Sequence, residues 1–204
     1  MGFFKWSAGI SEVFKPSTGL LPGDLAKTGW KLAQAFPIKA STDLEFGSVV
    51  ETELVGTVTY IKPLAAVSAT LAAAETMEIQ GIALRDAVGQ QTRVVGTTMI
   101  SAYPRNYNAT IVRKGYVTVA VQAGTPAEFG DVWVKVKANA TKTYLPVGGI
   151  ETAQDETGTV GSEVYYNRKA SNAKFVTVGT YPLNYAGSAS ATNETGMVAV
   201  IFLD

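Results

Sequence analysis

Apolar and polar positions in this chain alternate with period two over short runs, most clearly between Asn108 and Val136. Val117, Val119 and Val121 fall on one side of an extended chain, with Thr118 and Gln122 on the other. After a break, Val132, Val134 and Val136 repeat the pattern, with Trp133, Lys135 and Lys137 opposite. Side chains alternate faces along a strand, so each run offers one apolar and one mixed face. The connecting segment 123–131 holds two glycines and a proline, residues that turn a chain between antiparallel strands. The pattern predicts a central β-hairpin here.

The same reading extends along the chain. Ile38 to Glu53 predicts the first strands, with a turn at Phe46-Gly47 before Val49 and Val50. Val55 to Tyr60 reads as a continuation or a second strand, ended by Pro63. Leu64 to Met77 is Ala-rich, and periodicity leaves both a short helix and a buried strand plus loop open. Ile79 to Ala87 places Ile79, Gly81 and Ala83 on one face and Ile82 and Leu84 on the other, as in a strand buried on both sides. Then come a loop at 88–92, a strand near Arg93–Ile100 and a loop at 101–108. Beyond the hairpin we expect a turn at Asn139–Lys142, a short edge strand at Lys142–Val147 carrying Pro146, and a long polar surface loop at 148–163. Short strands follow at Val164–Tyr166 and Lys174–Gly179, a loop at Tyr181–Thr195, and a buried closing strand at Met197–Leu203.

Residues 1–37 differ. Phe3, Phe4, Trp6, Phe14, Trp30 and Phe36 crowd into a segment with little alternation, broken by Gly19, Pro22 and Gly23. Asp24 is a suitable N-cap for a short helix. The expected architecture is therefore all-β: an antiparallel β-barrel or sandwich of short strands over 38–204, an extended N-terminal arm over 1–37, and at most one or two short helices. The arm either folds back on its own barrel or docks its aromatics on a neighbour. Aromatics anchor interfaces, which makes Phe3, Phe4, Trp6, Phe14 and Trp30 the candidate partner contacts.

Composition narrows the chemistry. The 204 residues are 47% hydrophobic and 17% charged, enough apolar content for a sizeable core. Lys plus Arg (17) equals Asp plus Glu (17), so no positive field for nucleic acid is built. Cysteine and histidine are absent, which excludes disulfides, thiolate chemistry, the common zinc sites and Ser-His-Asp triads. The N-terminus lacks the pattern of a secretory signal, and Leu64–Ala74 is too short to span a bilayer, so no membrane partner is expected. Gly124–Gly130 lacks the Lys-Ser/Thr of a phosphate loop. Carboxylates cluster at Asp43/Glu45, Glu51/Glu53 and Asp155/Glu156. A glycosidase would need two of them across a cleft; on a strand they more simply form a solvated face. The expectation is a protein with no catalytic residues, no cofactor and no metal.

An ordered set of short signals carries a resemblance. Phe36-Pro37-Ile38 and Leu44-Glu45-Phe46-Gly47-Ser48-Val49-Val50 resemble the opening of tailed-bacteriophage capsid cement (decoration) proteins. Gly81–Asp86, Val112–Val119, Gly124, Pro126 and Gly130–Val134 are similar to the strands and turns that follow. Lys174–Thr177 and Gly196–Ile201 look like the closing strand pair. The resemblance covers about residues 36–204. It implies a structural protein, made in the host cytoplasm, that sits on the outer surface of the virion. Its partners would be the major capsid protein and copies of itself, as a homodimer or homotrimer. Two other readings remain: a carbohydrate-binding or adhesive β module that stacks Tyr103, Tyr107, Tyr165, Tyr166, Tyr181 and Tyr185 on sugars, and a carboxylate-based glycosidase.

Overall fold

The computed structural model describes residues 23, 31–39, 43–68, 71, 75–85, 91–95, 98–104, 107–140, 147–157, 164–176, 181–183 and 196–204. These form sixteen strands and, among the described residues, no helix. In chain order they are β1 (Leu32–Pro37), β2 (Leu44–Glu45), β3 (Val49–Val55), β4 (Val58–Pro63), β5 (Thr76–Met77), β6 (Gly81–Ala83), β7 (Gln91–Val95) and β8 (Thr98–Tyr103). There follow β9 (Asn108–Ala123), β10 (Asp131–Lys135), β11 (Ile150–Glu151), β12 (Glu156–Thr157), β13 (Val164–Tyr165), β14 (Asn167–Phe175), β15 (Tyr181–Leu183) and β16 (Gly196–Leu203). The all-β expectation holds.

The sixteen-residue β9 is the spine. Its second half pairs antiparallel with β16 (Val119 opposite Ala199) and parallel with β11. β16 continues to β14, β14 to β10 and β10 back to β11, so these five strands close a small barrel. Closure removes the free edges that would otherwise template aggregation. Val117, Val119, Val121, Val132, Val134, Ile150, Phe175, Ile201 and Leu203 are buried together inside it. Each such side chain withdrawn from water contributes about 1.5–3 kcal/mol.

The first half of β9 belongs to a second sheet, where it pairs with β1 (Ala35 opposite Thr110) and with β6. β6 continues to β3, and β3 forms a hairpin with β4 through the tight turn Gly56-Thr57. A bridge between Ile38 and Ile61 then brings the end of β1 onto β4. This sheet is apolar on both faces. Val49, Ile82 and Val112 lie side by side toward the barrel core, while Val50, Ala83 and Ile111 face a second core with Ile38, Leu44, Phe46, Ile61 and Tyr103. The partner exchange along β9 falls between Lys114, opposite Leu32, and Gly115, opposite Leu203. Gly115 has φ of +115°, a conformation that side chains other than glycine rarely adopt, and it turns the strand from one sheet into the next.

Several expectations are corrected. β9 and β10 do not pair as a hairpin; β11 inserts between them, because Ile150 fills a place in the barrel wall next to Val121 and Val134. Residues 148–163 are thus not wholly a surface loop: Ile150 and Glu151 are each 1% exposed. The single strand near Arg93–Ile100 is two antiparallel strands, β7 and β8. β14 begins at Asn167, well before Lys174, because Ala170, Ala173 and Phe175 supply its inward face. β15 occupies the start of the segment read as the loop Tyr181–Thr195. The predicted strand at Lys142–Val147 lies mostly outside the described residues.

Of the segment 1–37, Leu32–Pro37 forms β1 against β9. Gly23 is buried, donates its N–H to Thr118 O at 2.7 Å and accepts from Arg85 N at 2.8 Å. A Cβ on Gly23 would come within 2.8 Å of the Arg85 nitrogen, so only glycine lets the two backbones meet.

Candidate functional site

The candidate contacts Phe3, Phe4, Trp6, Phe14 and Trp30 lie outside the described residues. Apolar side chains are nevertheless left bare elsewhere. At the tip of the β3–β4 hairpin Leu54 is 70% exposed, and Val55 and Val58 are 43% exposed each. The base of this hairpin is stiffened electrostatically. Glu51 stands opposite Lys62, and the Lys62 ammonium lies 3.6 Å from Glu51 and 3.3 Å from Glu53. Lys39 binds Glu53 at 2.5 Å from the other side. The two ammonium groups hold the Glu53 carboxyl below its ordinary range. Glu51 and Glu53 thus form an ion-paired face of one strand, where a glycosidase would set two carboxylates across a cleft.

A second bare residue is Phe129, 72% exposed in the loop between β9 and β10. Its φ is +59°, a left-handed conformation unusual for a bulky residue. The loop is pinned there by Phe129 N–H donating to Phe175 O at 2.9 Å and by Gly130 N–H donating to Ala127 O at 2.9 Å. The surroundings thus hold an aromatic ring outward against a local backbone preference, a pattern found at functional positions.

The loop tyrosines divide. Tyr103 is a core residue, 1% exposed, edge-on to Phe46 and donating its hydroxyl to Leu84 O at 2.7 Å. Tyr107 is 52% exposed, and Tyr165 and Tyr166 are half-buried. Tyr185 and the side chain of Tyr181 lie outside the described residues. Asp43 and Glu45 border a cleft of about 280 Å³ together with Phe46, Gln122, Val147 and Gly149. Among the described residues no three carboxylates converge as a metal would require.

The unanticipated feature is a buried charge cluster. Lys135 on β10 is fully buried, and period-two alternation turns it away from Val134 toward the outer side of the barrel wall. There the chain from Glu151 to Asp155 covers it. The Lys135 ammonium donates to Asp155 Oδ2 and lies 3.5 Å from Glu151 Oε1. Asn139 Nδ2 donates to the same Asp155 oxygen at 3.4 Å. Asn167, opposite Lys135 in register, donates to Glu151 Oε2 and to Ala153 O at 2.8 Å, and accepts from Asp155 N at 2.9 Å. The Tyr166 ring lies 5.4 Å from the ammonium. Burial raises the Glu151 carboxyl above its ordinary range, against the opposing pull of Lys135 and Asn167. In the sequence Glu151 and Asp155 sit in a polar run, and nothing marks their meeting with Lys135; only the Asp155/Glu156 pair stood out.

Comparison with known proteins follows this geometry. A family described as XM1 gp53 minor capsid protein matches residues 12–200. A chain in the structure "The capsid of Myoviridae Phage XM1" shares the fold, with a TM-score of 0.54 and 18% identity over 91% of this chain and 90% of that one. No curated protein matches. At that identity the structural likeness speaks for the fold, and the family match over nearly the whole length speaks for membership. The chain belongs to the XM1 gp53 minor capsid protein family and is a structural, capsid-associated phage protein.

Proposed function

We propose that this protein is a capsid cement protein. It binds the outer surface of the major capsid protein lattice, bridges neighbouring capsomers as a homodimer or homotrimer, and stabilises the head. One observation carries the reading: Leu54, Val55 and Val58 stand bare at the tip of an ion-paired hairpin of the second sheet, in a member of a minor capsid family. Exposed apolar residues on a rigid support are what a docking protein presents to a groove. Phe129 is a second anchor, and Phe3, Phe4, Trp6, Phe14 and Trp30 form a third on an arm that reaches a neighbouring subunit.

The energetics suit many weak contacts. A partner that binds only the assembled lattice stabilises it by linkage. Each contact needs only ordinary size, on the order of 1,600 Å². Copies that span several subunits gain avidity through effective concentration. No bond is made or broken in the partner.

Deleting residues 1–20 tests the arm. The truncated protein should keep the β-rich circular dichroism of the full chain, because β1 and Gly23 are retained, and should bind purified heads more weakly in co-sedimentation. Full occupancy by the truncated form would remove the arm from the binding surface.

A further inference from the structure

The geometry points to an intramolecular amide cross-link between Lys135 and Asp155, formed in the folded chain with Glu151 as the catalytic proton carrier. The reacting groups come from separate places: Lys135 from the end of β10, Glu151 from β11, and Asp155 from the chain that follows it. The fold brings the ammonium into direct contact with the Asp155 carboxyl and sets Glu151 Oε1 at 3.5 Å from the same nitrogen. Holding two reactants together in this way replaces a bimolecular encounter with an intramolecular one.

The site favours condensation for three reasons. The side chains of Lys135, Glu151 and Asp155 are 0%, 2% and 6% exposed, so the product water leaves a place where little water competes to reverse the step. The raised pKa of Glu151 suits it to hold a proton in transit. Finally, Asn139 Nδ2 already donates to Asp155 Oδ2 and is placed to stabilise the charge that develops on that carboxyl. Asn167 is a positioning residue: it holds Glu151 through one end of its amide and the Asp155 backbone through the other.

The step balances without any outside reagent. Glu151 takes a proton from the Lys135 ammonium, and the freed nitrogen lone pair attacks Asp155 Cγ. The C–N bond forms as one C–O bond breaks. Of the three ammonium hydrogens one remains on the amide nitrogen; the other two leave with the departing oxygen as water, carried in turn by Glu151, which ends in its starting state. The two buried opposite charges are replaced by a neutral amide whose N–H faces Glu151. The bond ties β10 to the chain after β11 across the barrel wall, a covalent brace suited to a particle that must withstand internal pressure.

Intact mass spectrometry of the purified full chain decides the matter and does not depend on any variant folding. The expected mass is that of the sequence less one water, allowing for removal of the initiator Met. Digestion should then yield a branched peptide whose fragmentation joins Lys135 to Asp155. A mass equal to the full sequence overturns the proposal. Loss of one ammonia, or a water loss without the branched peptide, overturns it as well, placing the chemistry at Asn139 or Asn167 or at a local cyclisation. Glu151→Gln should give the full sequence mass while keeping wild-type circular dichroism; a Glu151→Gln protein that still carries the branched peptide removes Glu151 from the reaction. The outcome is independent of capsid binding, so either reading can fail without the other.

Discussion

Replacing Lys135 by Met should lower the stability of the isolated protein by about 3–5 kcal/mol: whether Lys135 meets Asp155 as an ion pair or is joined to it as the amide, the variant leaves the Asp155 and Glu151 carboxyls buried without their partner. For a chain of this size that corresponds to a fall of roughly 6–20 °C in Tm. Lys135 is the only cation within the cluster of Glu151, Asp155, Asn139 and Asn167 among the described residues, and all of these side chains are 6% exposed or less. The two amides cannot replace its charge. Differential scanning calorimetry reads the effect directly, and a change of under about 1 kcal/mol, the range of a surface ion pair, would mean that the cluster is solvated. Glu151 adds a pH signature. Its carboxyl binds a proton more tightly folded than unfolded, so its contribution is fully present below its unfolded pKa and is lost as pH rises through the raised folded value. Glu151→Gln should flatten the fall in stability over that interval in denaturant titrations.

The second large effect concerns binding. Leu54→Asp combined with Val58→Asp should leave the barrel folded, because both side chains are already exposed. It should nevertheless weaken attachment to heads strongly. Burying an aliphatic side chain is worth about 1.5–3 kcal/mol, so the loss of one anchor alone lowers affinity by about tenfold to a hundredfold per site. Contacts repeated across an oligomer compound the loss. Co-sedimentation of the variant with heads lacking the native protein, at matched concentration, measures it. Wild-type binding with an unchanged thermal profile would show that the hairpin tip faces solvent on the particle.

Much of the barrel was legible in the sequence because its principal strands obey the two-residue period. Val117, Val119 and Val121, with Val132, Val134 and Val136, are all core residues as their alternation predicted. Ile82 and Ala83, read as buried on opposite sides, do face two different cores. What the pattern missed was pairing. A strand of two residues such as β11 has no period to detect, yet it separates β9 from β10. The buried cluster failed for a related reason. Polarity in the run 148–163 reads as exposure, and only three-dimensional neighbours show that Glu151 and Asp155 are covered by their own counter-charge. Tyr103 went the same way: it falls in the segment read as the loop 101–108, but it ends β8, and a backbone carbonyl satisfies its hydroxyl inside the second core. The exposed hairpin tip was not legible at all, since Leu54, Val55 and Val58 differ in no respect from core aliphatics until the hairpin is seen to run on, still paired, past β6, which pairs only with Val49 and Val50 of β3.

The most direct test is equilibrium binding of the purified wild-type protein to assembled heads and, in parallel, to unassembled major capsid protein at equal subunit concentration, followed by cryo-electron microscopy of the occupied particles. Saturable binding to heads alone, with density at regular positions across capsomer boundaries, is the predicted result. Equal binding to free subunits, or heads that remain bare at saturating protein, would contradict it.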